Sequence, residues 1–133
     1  MKKLALILFA LIATVSIASA QSATEKKAPK AVFEKSVHDF GKVEESKGTV
    51  STIFKFKNEG TSPFIIQRSV SSCGCTASDY TKEPILPGKE GSVTVTYSTT
   101  GRPGIINKTV TLFTNVPDSV YSLKIVGEVL RNK

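Results

Sequence analysis

Tryptophan is absent, histidine occurs once, and the 133-residue chain carries only two cysteines. With no distant cysteine pair and no tryptophan, an antibody-type domain built on a disulfide between its sheets is excluded. A closed zinc site wants four ligands, and the chain holds too few nitrogen and sulfur donors to complete one without a partner. A Ser-His-Asp set would have to use His38, and no nucleophile-elbow sequence is present. Gly101-Arg102-Pro103-Gly104 is too short and proline-bound to act as a phosphate loop. Glu44-Glu45 reads as a solvated charge pair in a turn. No segment beyond the first twenty residues is apolar enough to span a bilayer, and none there has helical periodicity. These absences point away from an enzyme and from any cofactor. The one enzymatic alternative left is a thiol oxidoreductase.

Charge is one-sided: 18 basic residues face 11 acidic ones, a net charge of +7. The bases are dispersed (Lys35, Lys42, Lys47, Lys55, Lys57, Lys82, Lys89, Lys108, Lys124). There is no arginine-rich arm and no basic–aromatic interleaving, so the surface reads as solvated and no nucleic-acid partner is expected.

Residues 1–20 have the organisation of a secretory signal peptide. Lys2 and Lys3 form the positive start, Leu4 to Val15 are almost wholly apolar, and Ala18-Ser19-Ala20 is a small-x-small cleavage site. Cleavage after Ala20 leaves Gln21 first, which does not suit a bacterial lipid anchor. The mature chain is expected in the periplasm or outside the cell, without a transmembrane segment. Residues 21–30 are polar, lack a hydrophobic period and read as a flexible lead-in.

From Ala31 to Lys133 the texture is that of short strands separated by turn signals. Val32 to Lys35 is a first strand. Ser36, His38 and Phe40 share a phase before Gly41, where a bulge or a close approach is expected, and Asp39 is placed to cap a turn. Glu44 to Gly48 reads as a polar hairpin-like turn. Val50, Thr52, Phe54 and Phe56 then share one face. Asn58-Glu59-Gly60-Thr61 is a turn, and Pro63 opens a strand whose inward face runs through Phe64, Ile66 and Val70. Ala77 to Lys89 is irregular. Val93, Val95 and Tyr97 alternate strictly with small polar residues, the mark of one buried and one wet face. Ile106, Val110 and Leu112, interrupted by Lys108, share a face, as do Tyr121, Leu123, Ile125, Gly127 and Val129. About seven strands with turns of this kind predict an all-β protein, an antiparallel immunoglobulin-like β-sandwich. Its expected core is Phe40, Phe54, Phe56, Ile66, Val93, Val95, Tyr97, Val110, Leu112, Leu123 and Ile125.

Cys73-Gly74-Cys75 is where chemistry concentrates. Residues two apart in a strand face the same way, with Cα atoms roughly 6.6–7.2 Å apart when fully extended. A disulfide prefers about 5.5–6 Å, so bonding needs a bend, which Gly74 permits. Closing a three-residue loop stabilises by only about 1.6 kcal/mol, so the bond would be a poor global staple. Three readings stay open. The pair is structural, as a local disulfide or two packed thiols, in an oxidising compartment. Or it is a thiol–disulfide couple, which needs a thiol pKa lowered by a helix start or an adjacent base, although its spacing is not C-x-x-C and no such helix is visible. Or Cys73 and Cys75 bind a soft metal, Cu(I) rather than zinc, with His38 as third ligand. For His38 itself the favoured reading is a partly buried structural residue.

Several segments together resemble a known family. They are His38-Asp39-Phe40-Gly41, Phe54 through Gly60, Ser71-Ser72-Cys73-Gly74-Cys75-Thr76, Pro84 through Lys89, Val93 through Tyr97, Gly101 through Asn115, and Leu123 through Gly127. In this order they resemble the bacterial domain-of-unknown-function family numbered 1573, an immunoglobulin-like group related to abnormal-spindle and hydin-type β domains. The resemblance implies the fold and export, and no activity. The expected role is a non-enzymatic binding or structural module of the bacterial envelope. Its partner would be an envelope protein or surface component, met through the Cys73–Cys75 turn and the Thr76 to Lys82 loop.

Overall fold

A computed structural model describes residues 27–132. The predicted signal peptide, its cleavage site after Ala20 and most of the polar lead-in lie outside the described residues. Eight strands are present: β1 (Ala31–Phe33), β2 (Val37–Glu44), β3 (Thr49–Asn58), β4 (Ile66–Ser71), β5 (Thr76–Tyr80), β6 (Glu90–Ser98), β7 (Gly104–Thr114) and β8 (Val120–Leu130). They form two four-stranded sheets, ordered β1-β3-β6-β5 and β2-β8-β7-β4. Among the described residues, no helix is long and apolar enough to cross a membrane.

Alternation drives both sheets. In β3 the buried residues Thr52, Phe54, Phe56 and Asn58 alternate with exposed Ser51, Ile53, Lys55 and Lys57. In β6, paired to β3 from Thr49↔Ser98 to Lys57↔Glu90, Val93, Val95 and Tyr97 are buried. Ile106, Val110 and Leu112 of β7 and Leu123, Ile125 and Val129 of β8 supply the other wall of one shared core. Ten of the eleven expected core residues are buried. The exception is Phe40, half-buried against the rim, where its ring meets His38 edge-on at 4.7 Å. Phe64, Ile85, Val43 and Ala31 complete the core. Phe64 is fully buried through an isolated bridge to Ile85 and edge-on contacts with Phe56 and Tyr121.

Several sequence expectations need correction. The sheets are not wholly antiparallel, because β2 runs parallel to β8, with His38 opposite Ile125. Alternation along a strand is the same for either direction of its neighbour, so the pattern carries no sign of this. The register shifts between Asp39 and Lys42, where Gly41 has φ 67° and donates its N–H to Asp39 Oδ1 at 2.7 Å. That bulge turns Val43 inward. A Cβ on Gly127 would meet the Gly41 carbonyl oxygen at 2.9 Å, so the two strands approach closely there. Glu44 to Gly48 is not a hairpin turn. It contains a 3-10 turn and carries the chain from one sheet to the other. A second shift, between Ile66 and Arg68, reverses the phase of β4, so Val70 faces solvent instead of the core. The first strand is Ala31–Phe33 rather than Val32 to Lys35, and residues Thr76–Tyr80 are a strand, not a loop.

The end of the lead-in is tied down. Ala28 and Thr61 exchange two hydrogen bonds, and Glu59 N–H donates to the Lys30 carbonyl at 2.8 Å. Asn58, fully buried, holds this corner. Its amide donates to the carbonyls of Ser62 and Ile85, each at 2.8 Å, and its Oδ1 accepts N–H groups of Gly60 (2.9 Å) and Lys30 (3.3 Å).

Candidate functional site

Strands β4 and β5 are edges of different sheets on the same side of the molecule, and Ser72-Cys73-Gly74-Cys75 is the turn that passes between them. Ser72 moors the entry: its N–H donates to the Thr109 carbonyl at 3.0 Å, and its hydroxyl oxygen accepts the Thr109 N–H at 3.1 Å. The exit is moored by the Ser98 N–H donating to the Cys75 carbonyl at 2.9 Å. Below the turn, the Ser69 and Ser78 hydroxyls meet at 2.6 Å and the Tyr80 hydroxyl donates to the Gln67 carbonyl at 3.2 Å.

Within the turn the Cα atoms of Cys73 and Cys75 are 5.3 Å apart and their sulfurs stand at disulfide distance. The extended spacing has therefore contracted by the bend that bonding requires. Gly74 is exposed, a Cβ there would meet nothing within 4 Å, and its φ is not left-handed, so the bend does not depend on glycine. The Cys75 N–H donates to Cys73 Sγ at 3.2 Å. Thr76 Oγ1 lies 3.9 Å from Cys73 Sγ and 3.7 Å from Cys75 Sγ.

Both cysteines are half-buried and form part of the wall of a concavity of about 470 Å³. The opposite wall comes from the β6–β7 turn and β7: Arg102, Ile105 and Lys108, with Tyr97 of β6 beneath. No acidic residue lines it. Among the described residues the one ion pair is Lys82–Asp79 at 3.5 Å, so Arg102 and Lys108 are not neutralised by any described carboxylate. Arg102 and Lys108 lie about thirty residues downstream of the cysteines and are brought to them by the β5–β6 and β4–β7 pairings, of which the local sequence pattern carries no sign.

His38 is not brought to the cysteines. It lies on β2, at the opposite edge of its sheet from β4, three strand spacings or roughly 14 Å away. Its Nδ1 accepts from the Lys35 ammonium at 2.6 Å. Burial lowers its pKa below the ordinary value, the Lys35 charge lowers it further, and Asp39 partly opposes them. Among the described residues, no three histidine, cysteine, aspartate or glutamate side chains gather to hold a metal ion. The three-ligand copper arrangement thus lacks its third donor. Glu44 and Glu45 are not an acid pair either: Glu45 Oε1 accepts the Gly101 N–H at 2.9 Å and serves the turn.

The described residues define an all-β domain of two four-stranded sheets with one shared core and a cysteine turn between two edge strands. A family profile described as protein of unknown function (DUF1573) matches residues 31–129, and the chain belongs to that family. No curated protein sequence matches it. Among solved structures, a protein of unknown function from Porphyromonas gingivalis W83 superposes with TM-score 0.64 at 14% identity, over 77% of this chain and 47% of that one. The Vibrio cholerae VesB protease superposes at 0.55 with 14% identity, over 77% of this chain and 31% of that one. A family 123 glycoside hydrolase from Clostridium perfringens gives 0.55 at 10% identity, over 80% and 28%. At these identities the likeness is one of fold alone. The chain spans about half or less of each of these structures.

Proposed function

We propose that the chain is an exported, non-enzymatic binding module of a bacterial envelope, an immunoglobulin-type β-sandwich that takes an extended segment of a partner protein along β5. The observation that carries this reading is the edge itself. Thr76–Tyr80 pairs with β6 alone. The Ser98 N–H to Cys75 carbonyl bond at one end and the Thr81 N–H to Ser92 carbonyl bond at the other set the ladder's phase. In an antiparallel ladder hydrogen-bonded and open pairs alternate, so the backbone N–H and C=O of Ser78 point away from β6. Such groups are what a partner strand uses when it extends a sheet. The signal-peptide organisation of residues 1–20 supports export.

Proline at position 78 removes the outward N–H and leaves the β6 ladder bonds in place. The Ser78→Pro protein should keep its fold by circular dichroism and lose an envelope partner that crosslinks to the unaltered chain. The Cys73→Ser/Cys75→Ser protein should keep that partner. Retention by Ser78→Pro, or loss in the cysteine variant, would overturn the reading.

A further inference from the structure

We propose that the Cys73–Cys75 pair exchanges with small, negatively charged thiols drawn into the concavity that Arg102 and Lys108 line. This goes beyond the binding role and is independent of it, since it requires no partner strand.

Four observations converge. Both cysteines are half-buried and line a concavity of about 470 Å³, within the range of small-molecule sites, about 300–1,000 Å³. Two cations line that space and no acid does, so it favours anions over cations. The sulfurs are polarised differently. Cys73 Sγ receives the Cys75 N–H at 3.2 Å, a bond that strengthens when Cys73 carries negative charge, whereas Cys75 Sγ has only the weaker Thr76 hydroxyl contact. Cys73 is therefore the better leaving thiolate, and Cys75 Sγ is the sulfur attacked. Finally, the ring spans three residues, so opening it leaves the shared core in place.

The reaction balances as ordinary thiol–disulfide exchange. A thiolate of an anionic thiol attacks Cys75 Sγ. The bond between the two cysteine sulfurs breaks, and its electron pair leaves on Cys73 as a thiolate. A mixed disulfide now joins the thiol to Cys75. A second thiolate attacks the thiol-derived sulfur of that bond, releasing Cys75 as a thiolate and a symmetrical small-molecule disulfide. Two thiols are oxidised, giving up two electrons and two protons, and the protein disulfide is reduced to two cysteines. Negative charge develops on Cys73 in the first step, in the wall of the concavity that Arg102 and Lys108 also line, and cations stabilise thiolates.

The test is the rate at which the oxidised mature chain is reduced by glutathione (net negative), 2-mercaptoethanol (neutral) and cysteamine (cationic). Rates are expressed per thiolate and read by acid quench, alkylation and mass spectrometry. Glutathione should react about tenfold faster than cysteamine at low salt, in line with charge-steered encounter. Arg102→Gln/Lys108→Gln should abolish that preference. Lys55→Gln/Lys57→Gln, an equal charge change on exposed positions of β3, should leave it intact. Early quenches should place glutathione on Cys75. Equal rates for the three thiols, a preference untouched by the Arg102/Lys108 pair, one lost equally in the Lys55/Lys57 pair, or glutathione found on Cys73 would overturn the proposal.

Discussion

The corner around Asn58 and the corner around Cys73 and Cys75 are fastened differently, one by hydrogen bonds between distant segments and the other by a sulfur link between residues two apart. Asn58 is fully buried and joins the lead-in, the end of β3 and the segment before β6 through four side-chain bonds. Its backbone adds two more, from Asn58 N–H to the Lys89 carbonyl at 2.9 Å and from Gly88 N–H to the Asn58 carbonyl at 2.7 Å. The space is filled as well: a Cβ on Gly60 would run into the backbone of Ala28 to Lys30. The cysteine corner is the reverse. Its bridge closes three residues, its glycine has open space around it, and its two cysteines line a concavity. Cooperative burial of polar groups is what makes the first corner expensive to disturb. A short covalent ring has little chain entropy to remove. Stability is therefore concentrated where no covalent link exists, and the link sits where chemistry is accessible.

That contrast can be broken experimentally. The largest effect should come from Asn58→Ala, which leaves the Ser62 carbonyl and the N–H groups of Lys30 and Gly60 without this partner and strips the Ile85 carbonyl of one of its two bonds. A cost of about 4 kcal/mol is expected in urea unfolding, from one buried and three part-buried hydrogen bonds lost at once, each worth about 1 kcal/mol. Cys73→Ser/Cys75→Ser should cost no more than about 1.6 kcal/mol. The smallest effect concerns His38. Its pKa is lowered in the fold, chiefly by burial and then by Lys35. The unfolded chain therefore binds the proton more readily as pH falls below about 6.5. The stability that neutral His38 contributes is complete above that pH and is lost as pH drops through the folded-state value. His38→Gln should remove that component from the urea midpoint measured between pH 8 and 5, and leave the midpoint at pH 8 nearly unchanged.

How much of this was legible in the sequence differs element by element. β6 was plain because Val93, Val95 and Tyr97 alternate without interruption on a strand that is paired on both sides. β5 was hidden because only Thr76 of its five residues is buried, so an edge strand of small polar residues looks like a loop. Val70 was misplaced because a bulge after Ile66 shifts the phase by one residue, which no period-two pattern reveals. Phe40 was placed in the core on its phase, yet it sits on β2, an edge strand, where one flank stays open. The cysteine pair was visible as two residues. Its cationic surroundings were not, since Arg102 and Lys108 reach it through strand pairing far along the chain. His38 failed as a third ligand for the converse reason: sheet order sets it on the far edge.

The most direct measurement is equilibrium urea unfolding of Asn58→Ala and Cys73→Ser/Cys75→Ser side by side with the unaltered mature chain, at one pH and one temperature. A large fall in midpoint is expected for the asparagine variant and a small one for the cysteine variant, with similar slopes. The opposite order, with the cysteine variant the less stable of the two, would contradict this expectation.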